Sequence, residues 1–188
     1  MRDLSIDIET LGTKSYSCVI SIGASFFDPE TGDVGESFYS EIDIDSAKAL
    51  GLCTDASTLA WWEKQSEGAR SIFLAKNRPQ ISEVLEKFAE WVKGHCDPKN
   101  VRPWGNGAGF DVNLVQDAMH LANVKVPWVF WNIRDMRTVV AVCKPALDIT
   151  KSVERQGVHH NALDDAIHQA KVIANGCIYL RRKTDVSV

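Results

Sequence analysis

The chain has no basic excess. Its 188 residues hold 21 lysines and arginines against 25 aspartates and glutamates, a formal net charge of −4 at neutral pH. Proteins that grip a long duplex neutralise its phosphates with a cationic surplus. Any nucleic acid handled here is therefore expected to be held over a short stretch, with metal ions supplying much of the positive charge. Paired cysteines are also missing. Cys18, Cys53, Cys96, Cys143 and Cys177 are odd in number and nowhere spaced as CxxC. That argues against a disulfide framework or a structural zinc site and for a reducing, cytoplasmic setting. No apolar run approaches the ~20 residues a bilayer span needs, and Met1-Arg2-Asp3 leads directly into strand-like sequence, so neither a membrane partner nor a signal peptide is expected. Repeats, low-complexity tracts and linkers are absent too, and residues 1–188 are expected to form one domain with a sizeable core.

What is present reads as an α/β protein. Hydrophobic residues make up 45% and charged residues 24%, an ordinary globular balance. Residues 3–9 and 18–27 read as strands, the second ended by the turn Asp28-Pro-Glu-Thr-Gly32. A third strand is expected over 37–44, giving an antiparallel meander. STLAWWEKQ (57–65) opens with a Ser/Thr cap and reads as a short helix. Over 81–95 the apolar positions Ile81, Val84, Leu85, Phe88, Trp91 and Val92 follow helical spacing. A short strand over 101–105 runs into a glycine-rich turn, with an amphipathic helix over 111–122. Residues 129–133 read as a strand before a helix over 136–143. Residues 144–158 read as irregular, and 162–182 as a last long helix. Strands followed by interleaved helices and strands predict a mixed sheet.

The chemistry is carried by acids. In SIDIETLG (5–12), Asp7 and Glu9 sit one residue apart inside an apolar strand. A solvated strand face would accommodate them, but a first strand in this order is usually central and covered on both faces. Carboxylates there are costly to bury unless a metal ion neutralises them. Asp111 follows the strand and glycine turn of WGNGAGFDVNLV. Asp165 lies in HHNALDDAIHQA, near the start of the last helix, beside His159 and His160. Three distant elements can thus bring four carboxylates and a histidine to one sheet edge. A divalent pair ~3.5–4 Å apart needs such short, hard, anionic ligands, and it stabilises both the attacking and the leaving oxygen of a phosphodiester.

DIET, GNGAGFD and HNALDD, in that order, resemble the three motifs of the DEDDh-type 3′–5′ exonucleases. That group has an RNase H-like fold and includes RNase T, oligoribonuclease and polymerase proofreading domains. The TLAWWEKQ segment is most similar to small bacterial and phage stand-alone members. The resemblance implies an RNase H-like mixed five-stranded sheet flanked by helices, and 3′–5′ cleavage of single-stranded DNA or RNA ends, or of short oligonucleotides, to 5′-mononucleotides. It further implies that Asp7, Glu9, Asp111 and Asp165 hold two Mg²⁺ or Mn²⁺ ions and that His160 is the general base. An imidazole with a pKa near ~6.5 suits that task. Thr10, Leu11, Trp61, Trp62 and Phe110 become the candidate substrate contacts, and a homodimer is allowed.

Each residue also has a plainer reading. Asp111 can serve as a first-turn acid that stabilises its helix. If Asn161 caps the last helix, Asp164 falls at N3 with a structural role, and the family spacing of histidine, four residues and aspartate selects Asp165 and His160 over Asp164 and His159. The glycines of GNGAG do not match G-x-G-x-x-G, and an acid at that helix start repels a pyrophosphate. Of two adjacent helical tryptophans, one faces the core, so Trp61 and Trp62 supply at most one stacking platform. Leu11 can be a buried turn residue. Arg134-Asp135 can be a structural ion pair, and Arg181–Lys183 a helix C-terminal cluster. Rival readings are a catalytically silent module of the same fold, which the intact set of acids disfavours, and an endonuclease. No residue decides between DNA and RNA.

Overall fold

The structure, a computed structural model, describes residues 1–107, 109–144 and 146–185. Ala108 of the glycine turn, Pro145 of the segment expected to be irregular, and residues 186–188 of the expected domain lie outside the described residues. Five strands, β1 (Asp3–Thr10), β2 (Val19–Phe27), β3 (Val34–Glu41), β4 (Arg102–Gly105) and β5 (Arg134–Asp135), form one mixed sheet in the order β3-β2-β1-β4-β5. The β1–β2–β3 meander is antiparallel, and β4 and β5 add in parallel to the other side of β1. β1 is thus central, as expected for the first strand in this order.

Side chains alternate across a strand, so the two faces of β1 differ. Leu4, Ile6 and Ile8 point into a core shared with α4 (Ile81–His95) and α5 (Asp111–Leu121), where Phe88, Leu85, Val112 and Met119 are fully buried. α4 buries its helical stripe at Ile81, Val84, Leu85, Phe88, Ala89 and Val92. Asp3, Ser5, Asp7 and Glu9 point the other way, toward α7 (Ala162–Asp185). There a second apolar cluster forms around Phe27, Trp104, Ile149, Val172 and Ile173, closed by α6 (Met136–Cys143). α7 lies close on the sheet because Gly23, opposite Asp7 in the ladder, has no side chain; a methyl group there would overlap the backbone of Ala162 and Leu163.

The smaller elements differ from the sequence expectations at three places. The third strand spans Val34–Glu41, and Ile44, expected to end it, instead opens α1 (Ile44–Ala49), capped by Asp43, which accepts from the Ser46 amide at 2.8 Å. α2 (Ala56–Trp62) is capped by Asp55, which accepts from the Ser57 amide, rather than by Ser57 or Thr58; α3 (Glu67–Arg70) follows it unannounced. Residues 129–133 are not a strand: Phe130–Asn132 is a 3-10 turn, and the ladder is joined by the two residues of β5. Apolar runs this short do not distinguish strand from turn. Here Asp135 caps α6 through the Thr138 amide, while Arg134 donates to the carbonyls of Trp131 and Ile133. Among the described residues no helix is long and apolar enough to cross a membrane.

Candidate active site

Three elements converge at the C-terminal end of β1. Asp7 and Glu9 project from the strand's α7 face, Asp111 opens α5 just beyond β4, and Asp165 sits in the first turn of α7. A cavity of about 310 Å³ is lined by these four carboxylates together with Phe110, Arg155, His159, His160, His168 and Gln169. Asp7, Glu9 and Asp165 each offer an oxygen within 4.8 Å of the others.

Local hydrogen bonds explain the placement. Asn161 caps α7, accepting from the amides of Leu163 and Asp164 at 3.1 and 3.2 Å. Asp164 turns back and accepts from the Val158 amide at 2.7 Å, whereas Asp165 points into the cavity. One oxygen of Asp165 accepts from the His160 amide at 2.9 Å, and the other is paired with the Arg155 guanidinium. Asp111 accepts from the Asn106 amide at 3.1 Å, tying α5 to the glycine turn. Asp7 accepts from the Gln169 side chain at 2.6 Å.

Electrostatically the site is under-compensated. Burial, reinforced by Asp111, Glu9 and Asp165, holds the Asp7 carboxyl well above the usual carboxylate range. Burial pushes Glu9 up to about 8, with Asp165 and Asp111 adding to the effect. Asp111 rises to about 7 through burial, against the pull of nearby backbone amides and Arg137. Among the described residues Asp7, Glu9 and Asp111 have no ion-pair partner, and the buried Gln169 Oε1 has no hydrogen-bond partner. Crowded, buried, anionic oxygens lacking a counter-charge fit hard divalent cations. Asp7, Glu9, Asp111 and Asp165 are the residues that could hold them.

His160 lies at the cavity's rim in a left-handed backbone conformation, φ 65°. Burial, with His159 nearby, lowers its pKa against the opposing pull of Asp165. The two tryptophans part company. Trp62 is 3% exposed and donates its indole N–H to the Thr10 carbonyl at 2.9 Å, whereas Trp61 is 41% exposed and meets the His160 ring edge-on at 4.9 Å. Thr10 and Leu11 are buried, the Thr10 hydroxyl donating to the Gly12 carbonyl at 2.7 Å. Phe110 is partly buried and lines the cavity.

Sequence reasoning missed Arg155, His168 and Gln169. Gln169 stands one helical turn beyond Asp165, and the i, i+4 spacing was a signal that could have found it. Arg155 comes from a segment without periodicity and left none.

A family model described as the 3′–5′ exoribonuclease Rv2179c-like domain matches residues 2–177. An exodeoxyribonuclease of Enterobacteria phage T4 is 31% identical over 193 residues, covering 88% of this chain and 84% of the phage protein. Among solved structures, the nuclease domain of 3′hExo, a DEDDh family member bound to rAMP, superposes with a TM-score of 0.63 at 14% identity, covering 94% of this chain and 93% of that one. Exonuclease X in complex with 5′ overhanging duplex DNA gives a TM-score of 0.58 at 13% identity, covering 93% and 90%. These two likenesses establish the fold.

Proposed function

The chain belongs to the Rv2179c-like 3′–5′ exoribonuclease domain family, and on that premise we propose how this 3′–5′ exonuclease works: it removes 5′-mononucleotides, one at a time, from single-stranded 3′ ends and short oligonucleotides with two divalent ions, Mg²⁺ or Mn²⁺. The observation that carries the reading is the convergence of Asp7, Glu9, Asp111 and Asp165, from three elements, on one cavity. A divalent pair held there would supply Lewis-acid stabilisation of the attacking and leaving oxygens of the phosphodiester.

The chain's own residues do the rest. His160, its pKa lowered from 6.5, is neutral near pH 7 and takes the proton of the attacking water through its imidazole nitrogen. Trp61 and Phe110, the aromatic rings open to the cavity's surroundings, stack on bases without reading sequence. Thr10 and Leu11 do not line the cavity; they are buried beside it, their backbone pinned by Trp62 and, at the Leu11 carbonyl, by the Asp55 amide at 2.7 Å, so their part is to fix the end of β1 that carries Glu9. The family description names an exoribonuclease and the phage relative an exodeoxyribonuclease, so both sugars belong in the test.

Time courses on 3′- and 5′-labelled DNA and RNA oligomers, with Mg²⁺, Mn²⁺ or EDTA, should give a ladder of one-nucleotide steps from the 3′ end and no cleavage in EDTA. Asp111→Asn should abolish turnover while the protein stays folded. His160→Ala should slow it ~10²–10⁴-fold. Wild-type activity in either variant would overturn that residue's role, and internal cuts would overturn the exonucleolytic mode.

A further inference from the structure

His159 has no part in the chemistry above, yet it completes a donor set. His159, His160 and Asp165 each present a ligand atom, and all of these lie within 4.8 Å of one another. Consecutive residues of an extended chain point to opposite sides. The left-handed backbone at His160 instead brings the two imidazoles together, ring centroids 3.9 Å apart and planes 33° from parallel. A histidine pays no small conformational penalty there; the bond from its amide to Asp165 and that from the Asn161 amide to the Val158 carbonyl hold the turn.

We propose that His159, His160 and Asp165 form a second cation site, suited to a borderline-soft ion such as Zn²⁺, whose occupation silences the enzyme by withdrawing the His160 imidazole from proton transfer. Two imidazoles and a carboxylate are a three-ligand set for tetrahedral zinc, with the fourth position left to water. Mg²⁺ demands oxygen ligands in octahedral array and is disfavoured by two ring nitrogens. The ion enters from solvent, since His159 is exposed. It must displace Arg155, whose side chain is 35% exposed, from its ion pair with Asp165. The silencing, but not the binding, rests on His160 being the base.

The test uses the whole protein at saturating Mg²⁺. Added Zn²⁺ should inhibit the wild type, and His159→Ala, read against its own Zn²⁺-free rate, should raise the half-inhibiting Zn²⁺ concentration by at least about 10-fold, the lower bound for losing even an outer-shell partner. Arg155→Gln should lower that concentration. Co²⁺ serves as the direct probe: the visible absorption of four-coordinate Co²⁺ should develop in the wild type under Mg²⁺ and be lost in His159→Ala. Equal Zn²⁺ sensitivity of wild type and His159→Ala overturns the site. A Co²⁺ spectrum that depends on His159 while turnover is untouched overturns the silencing, and with it the assignment of His160 as base.

Discussion

The two faces of β1 take alternate residues of one eight-residue strand and do opposite things. On one, Leu4, Ile6 and Ile8 are at most 5% exposed and pack under α4 and α5. On the other, Asp7 and Glu9 lie beneath α7 with their carboxyls held above the usual range by burial. The apolar face gains free energy from being covered, roughly 1.5–3 kcal/mol for each large side chain. The acidic face loses free energy until a counter-charge arrives. Stability and chemistry are therefore separable on this strand at single-residue spacing, with the pleat keeping them apart.

The sharpest break of that comparison pairs neighbouring substitutions. Asp7→Asn should reduce turnover to background and, in metal-free protein, leave the melting temperature unchanged or higher, because it removes a poorly compensated buried acid. Ile6→Ala should cost about 2–5 kcal/mol in denaturant unfolding yet leave kcat per folded molecule near wild type. Reversal of the two phenotypes would mean that the faces are not independent.

Gly23→Ala tests the seam where the faces meet α7. The added methyl would collide with rigid backbone at Ala162 and Leu163, an overpacking that costs about 1–3 kcal/mol or more. Because it pushes the first turn of α7, and so Asp165, off the sheet, metal affinity measured by calorimetry should fall together with stability. Lost stability at full metal affinity would show that α7 positions Asp165 independently of its contact with the sheet.

The smallest effect is in pH. Glu9 moves from 4.5 to about 8 and Asp111 from 3.8 to about 7 on folding. Between those values the native state binds more protons than the unfolded one, so stability in EDTA should be greatest at low pH and decline as pH rises through that window. Saturating Mg²⁺ or Mn²⁺ should flatten the decline, and Glu9→Gln should diminish it. A metal-free melting temperature that climbs over the same range would mean that the acids are compensated without metal.

The parts of the molecule legible in the sequence were those with a repeating signal. The β1 alternation, the α4 stripe and the cap at Asn161 each read directly because periodicity and capping are local. The expected strand over 129–133 and the missed α1 and α3 were short segments whose state is set by neighbours. The same division runs through the site. Asp7, Glu9, Asp111 and Asp165 stand in motifs of recognisable spacing, whereas Arg155 reaches Asp165 from a loop with no pattern.

The amino-acid order alone placed β1 at the centre of a mixed sheet and required one of two adjacent tryptophans to be covered, because these follow from strand order and helical periodicity; Asp7, Glu9, Asp111, Asp165 and His160 were picked out by resemblance to the exonuclease motifs. Only the tertiary structure decided that Trp62 is the covered one and that the His159 ring stands against that of His160. The first rests on the bond from the Trp62 indole to the Thr10 carbonyl and the second on the turn that leads into α7 where that helix seats on Gly23, long-range contacts that no local pattern encodes.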